Sequence, residues 1–253
     1  MSAEYQIVIP ARMASQRLPG KPLLSIAGRS LLEHVFRQAC KSGASGVVIA
    51  TDDRKIRDAA AAFGAEVLMT SLSHQSGSDR IAECADQLSW TDEQLIVNLQ
   101  GDEPLMPPAC LDQVAELLAG DPQADVASLY WPLDDAEEID NPNTVKVVVS
   151  QSGHALYFSR SIVPYPRNWS GTAAALESGI TWKRHIGLYA YRAGALRAFA
   201  ALQATPLEAI EKLEQLRFLE TGRRIRMERA RAFIPAGVDT PGDLERVRNI
   251  LDG

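Results

Sequence analysis

The sequence predicts an α/β fold with a mostly parallel central sheet. Short apolar runs, among them YQIVIPA and GVVIAT, alternate with longer stretches that have helical periodicity, and this alternation is typical of βαβ units. Three of the apolar runs lead into polar loops, ARMASQRLPGKP, SHQSGS and GDEP. Because ligands bind beyond the carboxyl ends of the strands in such sheets, we expect these loops to lie together at one edge and to form the functional site.

The first half of the chain provides most of the predicted sheet. Its predicted strands, in order, are YQIVIPA, GVVIAT, EVLMT, QLIVNLQ and VASLYW. Its predicted helices are SLLEHVFRQACKSG, DRKIRDAAAAFG, residues 80–88 and residues 108–118. In the first helix, Ser30 and Glu33 form a predicted capping box, and Gly43 suits the left-handed position at the C-terminus.

The second half predicts a β subregion inserted into this fold. VKVVVS and HALYFSR indicate an antiparallel hairpin, IVPYPRNWSGTAAALESG indicates a long irregular loop, and HIGLYAYR indicates a further strand. PLEAIEKLEQLRFLETG predicts one amphipathic helix from Pro206 to its stop at Gly222, with EKLEQLR on the solvated face. No segment has the composition of a linker, so we expect a single domain over residues 1–253.

The overall composition argues against several classes of function. A formal net charge of −6 and a pI near 5.3 argue against general binding to nucleic acid or to anionic membranes. Three widely spaced cysteines form neither a zinc pattern nor a disulfide framework, which favours a reducing compartment. The N-terminus lacks the features of a signal peptide, and no apolar run approaches the ~20 residues of a membrane span. We therefore expect a cytoplasmic protein without membrane insertion.

The loop after the first strand concentrates positive charge. Arg12, Arg17 and Lys21 repel one another there unless a negative group lies among them. The loop is not a Walker A motif, because Ser15 replaces a required glycine and Pro22 follows the lysine in place of a hydroxyl residue. Lysine and arginine both suit phosphate oxygens. The sequence therefore favours an anion site over the alternative, a solvated basic turn.

Two acidic segments contain candidate partners for this loop. Asp102, in GDEP, directly follows a predicted strand, where it either binds magnesium or forms an Asx turn. In GVDTPGD, Thr240 suits the N-cap of the last helix, with Pro241 at the first helical position and Asp243 favourable to the helix dipole. Asp239 is then free for another role, and the hypothesis is that it is a second metal carboxylate.

The four histidines give a weaker signal. His74 and His185 lie in or beside candidate site segments, whereas His34 and His154 fit packing or surface positions. No spacing of the H-x-x-x-H type points to zinc, and no Ser-His-Asp arrangement points to acyl transfer.

Eight segments of the chain together resemble one enzyme family. In order they are IPARMASQRLPGKPL, HQSGSDR, NLQGDEP, NPNTVKVV, ALYFSR, RHIGLYAYR, PLEAIEKLEQLR and GVDTPGDLERV. This series is similar to that of the 3-deoxy-manno-octulosonate (Kdo) cytidylyltransferases and spans essentially the whole chain. Sugar-1-phosphate nucleotidylyltransferases open with a Gly-Gly loop that Ala11-Arg12 does not match. Acylneuraminate cytidylyltransferases carry Ser-Lys-Gly where this chain reads Arg17-Leu-Pro-Gly-Lys.

The resemblance implies a Rossmann-like nucleotide-diphospho-sugar transferase fold, a homodimer formed through the inserted β subregion, and Mg²⁺ as cofactor. It implies a nucleotide-binding part at about residues 1–130 and 223–253, and a sugar-binding and dimerisation part at about residues 131–222. The implied reaction transfers CMP from CTP to Kdo and releases pyrophosphate, which activates Kdo for lipopolysaccharide biosynthesis.

The resemblance also implies roles for individual residues, matched motif by motif. The implied contacts are Arg12, Ser15 and Lys21 for the CTP phosphates, Arg80 and Gln100 for the nucleotide, Asp102 and Asp239 for the metal, and His185, Tyr189, Glu214 and Gln215 for Kdo. Arg17 is a further expected substrate-binding residue. Within this set, the expected catalytic residues are Arg12, Lys21, Asp102 and Asp239.

Two alternatives stay open at the level of the sequence. In the first, the acceptor is another ulosonic acid, such as 8-amino-Kdo or a sialic acid, and the loop at residues 165–181, which is least similar to the family, is a candidate determinant of that choice. In the second, the chain is a regulatory nucleotide-binding module with an inactive site. The presence of both Asp102 and Asp239 argues against such a module, because binding of CTP alone does not require the second carboxylate.

Overall fold

The computed structural model describes residues 3–14, 17–74 and 76–252. In these residues the strands are β1 Tyr5–Ala11, β2 Ser25–Ile26, β3 Arg29–Ser30, β4 Gly46–Thr51, β5 Glu66–Met69, β6 Leu95–Asn98, β7 Val126–Leu133, β8 Lys146–Val149, β9 Ala155–Ser159, β10 Trp182–Arg192 and β11 Ile225–Arg229. The helices are α1 Leu31–Ala39, α2 Arg54–Ala62, α3 Gly77–Gln87, α4 Pro108–Ala119, α5 Ala136–Asp140, α6 Thr172–Glu177, α7 Ala193–Ala200, α8 Pro206–Glu211, α9 Gln215–Glu220 and α10 Pro241–Leu251. A 3₁₀ turn, Lys21–Leu23, lies in the first loop.

The central sheet has the strand order β11-β7-β10-β6-β1-β4-β5. Neighbouring strands along this path are parallel except around β10, which runs antiparallel to both β6 and β7. The β8–β9 hairpin joins the sheet through a pairing of β8 with β10. The predicted mostly parallel sheet and the predicted hairpin are therefore confirmed. The sequence did not predict that β10, from the second half, separates β6 from β7.

The central position of β1 explains its uninterrupted apolar sequence. Ile7 and Ile9 pack into a core with residues of α1 and α4, whereas Val8 packs into a second core with residues of α3 and α7. Successive side chains of a strand point to opposite faces, so a strand that is covered on both faces is apolar throughout. The uninterrupted apolar sequence of β1 therefore agrees with the presence of helices on both faces of the sheet.

Two details of the first predicted helix are wrong. Ser30 accepts a hydrogen bond from the Glu33 backbone N–H, but the Glu33 carboxylate accepts from Arg37 instead of completing a capping box. The helix ends at Ala39, and Gly43 is not left-handed. The Gly43 N–H donates to an Asp112 carboxylate oxygen at 2.8 Å, so a contact with α4 determines its conformation.

The single helix predicted from Pro206 to Gly222 is also wrong, although Gly222 has the expected positive φ of 78°. The structure has two helices, α8 and α9, and Lys212 between them is left-handed, with φ 55° and ψ 47°. A non-glycine residue in this conformation costs roughly 1–2 kcal/mol. Packing offsets this cost, because Leu216 and Phe218 are buried beneath the sheet. EKLEQLR is consequently solvated only in part: Lys212 and Glu214 are exposed, whereas its last three residues, from Gln215 onward, are buried.

The long loop predicted before β10 is only partly irregular. Within it, α6 packs near α5, and Ala175 joins Leu133, Ile139 and Trp182 in a small separate core. None of the helices in the described ranges is long and apolar enough to cross a membrane.

Candidate active site

Two adjoining pockets lie at the carboxyl ends of β1 and β6. We call the first the loop pocket; it has a volume of about 780 Å³ and includes Arg17, Lys21, Asp102 and Asp239 in its wall. The second, the sheet pocket, has a volume of about 430 Å³, and its wall contains Ser78, Arg80, Tyr189, Tyr191, Glu214 and Gln215. Pro10, Ala11, Arg12 and Gln100 belong to both walls. A ligand that fills both pockets therefore passes Arg12 and Gln100.

Strand pairing places the loops of the loop pocket side by side. β1 and β6 are parallel neighbours, so the basic loop after β1 and the GDEP loop after β6 begin at the same edge of the sheet. A Cβ atom on Gly101 would lie 3.0 Å from the Pro10 carbonyl oxygen, so glycine allows the two loops to approach closely. The clustering predicted from topology is confirmed for these loops.

The third segment of the loop pocket is attached by its backbone. The Val238 N–H donates to the Asp102 carbonyl oxygen at 2.8 Å, and a Cβ atom on Gly237 would lie 3.0 Å from that same oxygen. Thr240 is the N-cap of α10, as predicted, and Asp243 completes a capping box with it. The Asp239 side chain is therefore not needed for the cap and points into the loop pocket beside Asp102.

Opposite charges contact each other directly in the loop pocket. Lys21 Nζ donates to Asp102 Oδ2 at 2.6 Å and to Asp239 Oδ1 at 3.0 Å, and Arg17 lies 3.1 Å from Asp239. Burial alone would lower the pKa of Lys21, but its contacts with the two carboxylates outweigh burial and raise it. In the protein without ligand, the negative groups that the basic loop requires are thus Asp102 and Asp239. Arg12 forms no ion pair within the described part of the chain.

The chemistry of this site fits a hard divalent cation. Lys21 Nζ shows that the Asp102 and Asp239 carboxylates converge on one cation position. Among the described residues there is no group of three or more His, Cys, Asp or Glu that could hold a metal. Magnesium commonly binds through one or two carboxylates together with substrate phosphates, so this pair fits a magnesium ion that arrives with a nucleotide.

The sequence analysis overlooked Glu103, the neighbour of Asp102. Burial, followed by the charges of Asp102 and Asp239, raises its pKa to about 8, so the carboxyl group is largely protonated at neutral pH. Its position in GDEP was the available signal, but the sequence did not show that this side chain is partly buried beside two other carboxylates.

In the sheet pocket, α3, β10 and the start of α9 converge. Ser78 Oγ donates to Glu214 Oε2 at 3.1 Å, and burial raises the pKa of Glu214. Gln215 is only 6% exposed, and its Nε2 has no hydrogen-bond partner in the described residues. A buried amide donor without a partner is costly, and here it belongs to a residue of the pocket wall.

The two residues predicted to contact the nucleotide differ in burial and in the hydrogen bonds that they already make to other residues of the protein. Arg80 is buried, and its guanidinium donates to Asp52 at 2.6 Å and to Thr70. Gln100 donates to Asn98 at 3.2 Å and lies where the two pockets meet.

His185 lies beside the sheet pocket rather than in its wall. Its Nε2 is 3.2 Å from Ser128 Oγ, and its ring packs edge-on against Phe158 and next to Tyr189. Burial lowers the pKa of His185 to about 3, so the imidazole is neutral at physiological pH. His74 does line the sheet pocket, where it contacts Glu83.

The structure brings most of the predicted site residues together. Those that line one or both pockets are Arg12, Arg17, Lys21, Arg80, Gln100, Asp102, Tyr189, Glu214, Gln215 and Asp239. His185 lines neither pocket but its ring contacts Tyr189, and Ser15 lies outside the described residues.

Comparison with known proteins identifies the family to which this chain belongs. A family described as cytidylyltransferase matches residues 6–225, and the chain therefore belongs to this family of nucleotidyltransferases. The 3-deoxy-manno-octulosonate cytidylyltransferase of Pseudomonas syringae pv. syringae (strain B728a) is 50% identical over 254 residues and is covered completely, as is this chain. The enzyme of the same name from Hahella chejuensis (strain KCTC 2396) is 49% identical over 252 residues, covering 99% of this chain and 98% of that enzyme.

A solved structure extends the similarity to three dimensions. A CMP:2-keto-3-deoxy-manno-octonic acid synthetase complexed with CTP superposes with a TM-score of 0.90 at 40% identity, covering 99% of both chains. These matches confirm the resemblance found in the sequence and the predicted nucleotide-diphospho-sugar transferase fold.

Proposed function

We propose that this chain transfers CMP from CTP to Kdo, giving CMP-Kdo and pyrophosphate for lipopolysaccharide biosynthesis. The observation that carries the proposal is that the two pockets share Arg12 and Gln100 in their walls. A triphosphate in the loop pocket and a sugar acid in the sheet pocket would meet there, in a chain 50% identical to a Kdo cytidylyltransferase.

The loop pocket supplies the groups for the triphosphate. In this proposal Arg12, Arg17 and Lys21 bind its oxygens, together with Ser15, and Lys21 stabilises the charge that grows on the departing pyrophosphate. Asp102 and Asp239 would hold Mg²⁺, which when bound would neutralise phosphate charge and lower the pKa of the attacking hydroxyl. No protein nucleophile is required, so positioning and electrostatic stabilisation account for catalysis.

The sheet pocket supplies the groups for the acceptor. Glu214 and the unpartnered Gln215 amide would bind Kdo hydroxyl and carboxylate oxygens, with Tyr189 beside them. The nucleotide would also extend into this pocket, because it would contact Gln100, which lines both pockets, and Arg80, which lines the sheet pocket. His185 would act through Tyr189, because its neutral ring packs against that side chain.

Three further assignments belong to the same proposal. The enzyme would be a homodimer formed through the inserted β subregion, with nucleotide and sugar parts divided as the sequence analysis expects. It would work in the cytoplasm, as the three widely spaced cysteines favour. Another ulosonic acid, 8-amino-Kdo or a sialic acid, remains the alternative acceptor.

The test is pyrophosphate release with each nucleoside triphosphate against Kdo, 8-amino-Kdo and a sialic acid, at several Mg²⁺ concentrations. We expect the highest kcat/KM with CTP and Kdo, and no release after the metal is chelated. A higher kcat/KM with another ulosonic acid would replace Kdo, and no release with any pair would refute the proposed reaction.

A further inference from the structure

The segment after α7 reaches the sheet pocket through the break between α8 and α9. α8 ends at Glu211, Lys212 is left-handed, and α9 begins at Gln215. Glu214 and Gln215 line the pocket at this break. Residues of one straight helix point in directions fixed by its 3.6-residue period. The angle between α8 and α9 therefore determines where these two side chains point.

One ion pair spans the break. Arg217 of α9 donates from Nε to Glu208 Oε2 at 2.7 Å and from Nη2 to Glu208 Oε1 at 2.6 Å, which is the bidentate geometry that arginine and carboxylate form best. The pair is nearly buried, with Glu208 at 7% and Arg217 at 9% exposure. Such a contact defines both the distance and the orientation of the two helices.

Both members of the pair are fixed by other contacts. Glu208 also accepts from the Thr205 backbone N–H at the start of α8. Arg217 Nη1 donates to the carbonyl oxygens of Phe199 and Leu202, and its guanidinium lies 4.0 Å from the Phe199 ring centroid. The ion pair thus connects α9 to α8 and to the end of α7.

We propose that Glu208 and Arg217 are positioning residues for the acceptor, which orient Glu214 and Gln215 without touching the substrate themselves. The inference rests on the proposed function. A buried ion pair is weak evidence for stability, because apolar residues of similar volume often do as well, whereas its fixed geometry suits a site that needs two side chains aimed at one ligand. The loop-pocket charges come from other segments, so CTP binding is not expected to depend on this pair.

The experiment compares Arg217→Lys with the wild type and with Arg192→Lys. Arg192 also pairs with a carboxylate, Glu93, and donates to backbone carbonyls, but it lies at the end of β10 that pairs with Leu95, away from the pockets. Pyrophosphate release gives kcat and KM for Kdo and for CTP, calorimetry gives CTP affinity, and thermal melting reports folding.

For Arg217→Lys we expect the KM for Kdo to rise roughly tenfold to hundredfold, as for misplacement of a site group, with CTP affinity unchanged. Arg192→Lys is expected to leave both KM values unchanged, whatever its effect on melting. Glu208→Gln, which keeps the shape of the side chain but removes its charge, is also expected to raise the KM for Kdo. The double variant should be little worse than the worse single variant, because the pair acts as one unit.

The outcomes separate this proposal from the proposed function. An unchanged KM for Kdo in a folded Arg217→Lys protein overturns the positioning role, and so does an equal rise in the KM values for Kdo and CTP. If Arg217→Lys does not fold, Glu208→Gln decides by the same criteria. A wild type inactive with CTP and Kdo refutes the proposed function and this inference with it, whereas an active wild type with unaffected variants refutes only the inference.

Discussion

The loop pocket and the sheet pocket differ in how their polar groups are paired before a ligand binds. In the loop pocket, Lys21 lies between Asp102 and Asp239, and Arg17 contacts Asp239 as well. In the sheet pocket, the Gln215 amide is buried without a hydrogen-bond partner in the described residues.

This difference determines which contacts a ligand must replace or supply in each pocket. A triphosphate in the loop pocket must replace existing contacts of Lys21, so binding there is an exchange of ionic partners. An acceptor in the sheet pocket can supply a partner that no described residue gives the Gln215 amide, and a buried donor left unpaired costs about 1–3 kcal/mol. We therefore expect substitutions in the loop pocket to change ion binding and turnover, and removal of the Gln215 amide to raise the stability of the free protein.

The largest expected effect is that of Asp102→Asn. Removal of this charge leaves Asp239 as the remaining carboxylate facing Lys21 in the described structure, so we expect turnover to fall by about 10³-fold while CTP still binds through the basic loop. Pyrophosphate release across a Mg²⁺ titration and calorimetric CTP binding measure this. The control is Asp53→Asn, since Asp53 also follows a strand but only caps α2. Full activity across the titration would make Asp102 a turn residue.

Asp239→Ala separates function from stability in the same pocket. We expect turnover to fall by about 10²-fold or more, with CTP affinity largely retained. The free energy of unfolding should change by only a few tenths of a kcal/mol, because the half-exposed Asp239 pairs contribute little and Thr240 still caps α10.

The matched control for Asp239→Ala is Asp243→Ala, which removes the other half of the capping box. It is expected to lose about 1 kcal/mol of stability and to keep its turnover. Unchanged turnover in Asp239→Ala would refute a role for this carboxylate at the metal.

Lys21→Ala tests the exchange of partners directly. We expect turnover at saturating CTP to fall by about 10²-fold. In the protein without nucleotide, Asp102 and Asp239 lose the cation they share, so a divalent ion should bind them more tightly, by roughly tenfold. Calorimetric titration with Mn²⁺ in the absence of CTP measures this, with Lys41→Ala, at an exposed position just after α1, as control. Equal Mn²⁺ affinity in variant and wild type would show that Lys21 does not compete with the metal.

The loop pocket could be predicted from the sequence because its residues lie in loops that follow strands or precede a helix. Topology rules bring the ends of parallel neighbours together, so Lys21 and Asp102 meet. Because Thr240 was predicted to cap α10, Asp239 was predicted to be available for the site, and in the structure it contacts Lys21 in the loop pocket. The pairing of these carboxylates with Lys21 itself was not predicted, because sequence spacing does not give side-chain distances.

The sheet pocket could be predicted only in part, because long-range contacts form it. The helical periodicity of the sequence continues through Lys212 and gives no sign of the break there. The break is accompanied by the buried Glu208–Arg217 pair and by the packing of Leu216, which are tertiary contacts. β10 pairs between strands that are distant in sequence. Its register is irregular between Ile186 and Tyr189.

The smallest expected effect is the one that distinguishes the two pockets most sharply. Gln215→Met keeps nearly the same shape and removes the unpartnered amide, so we expect the free energy of unfolding to rise by about 1 kcal/mol. The same change removes a hydrogen bond to the acceptor, so the KM for Kdo should rise by about tenfold, with CTP affinity unchanged. Urea unfolding of the free protein and pyrophosphate release measure the two quantities on one preparation.

The matched control for this prediction is Gln113→Met. Gln113 is equally buried, but its amide donates to Glu228 and to the Arg229 carbonyl oxygen and accepts from the Arg231 N–H. Its replacement leaves those partners unpaired, so stability should fall by about 1–3 kcal/mol while the KM for Kdo stays unchanged. A loss of stability in Gln215→Met as well would show that its amide has a partner in the free protein. The contrast between a pocket with paired charges and a pocket with an unpaired donor would then no longer hold.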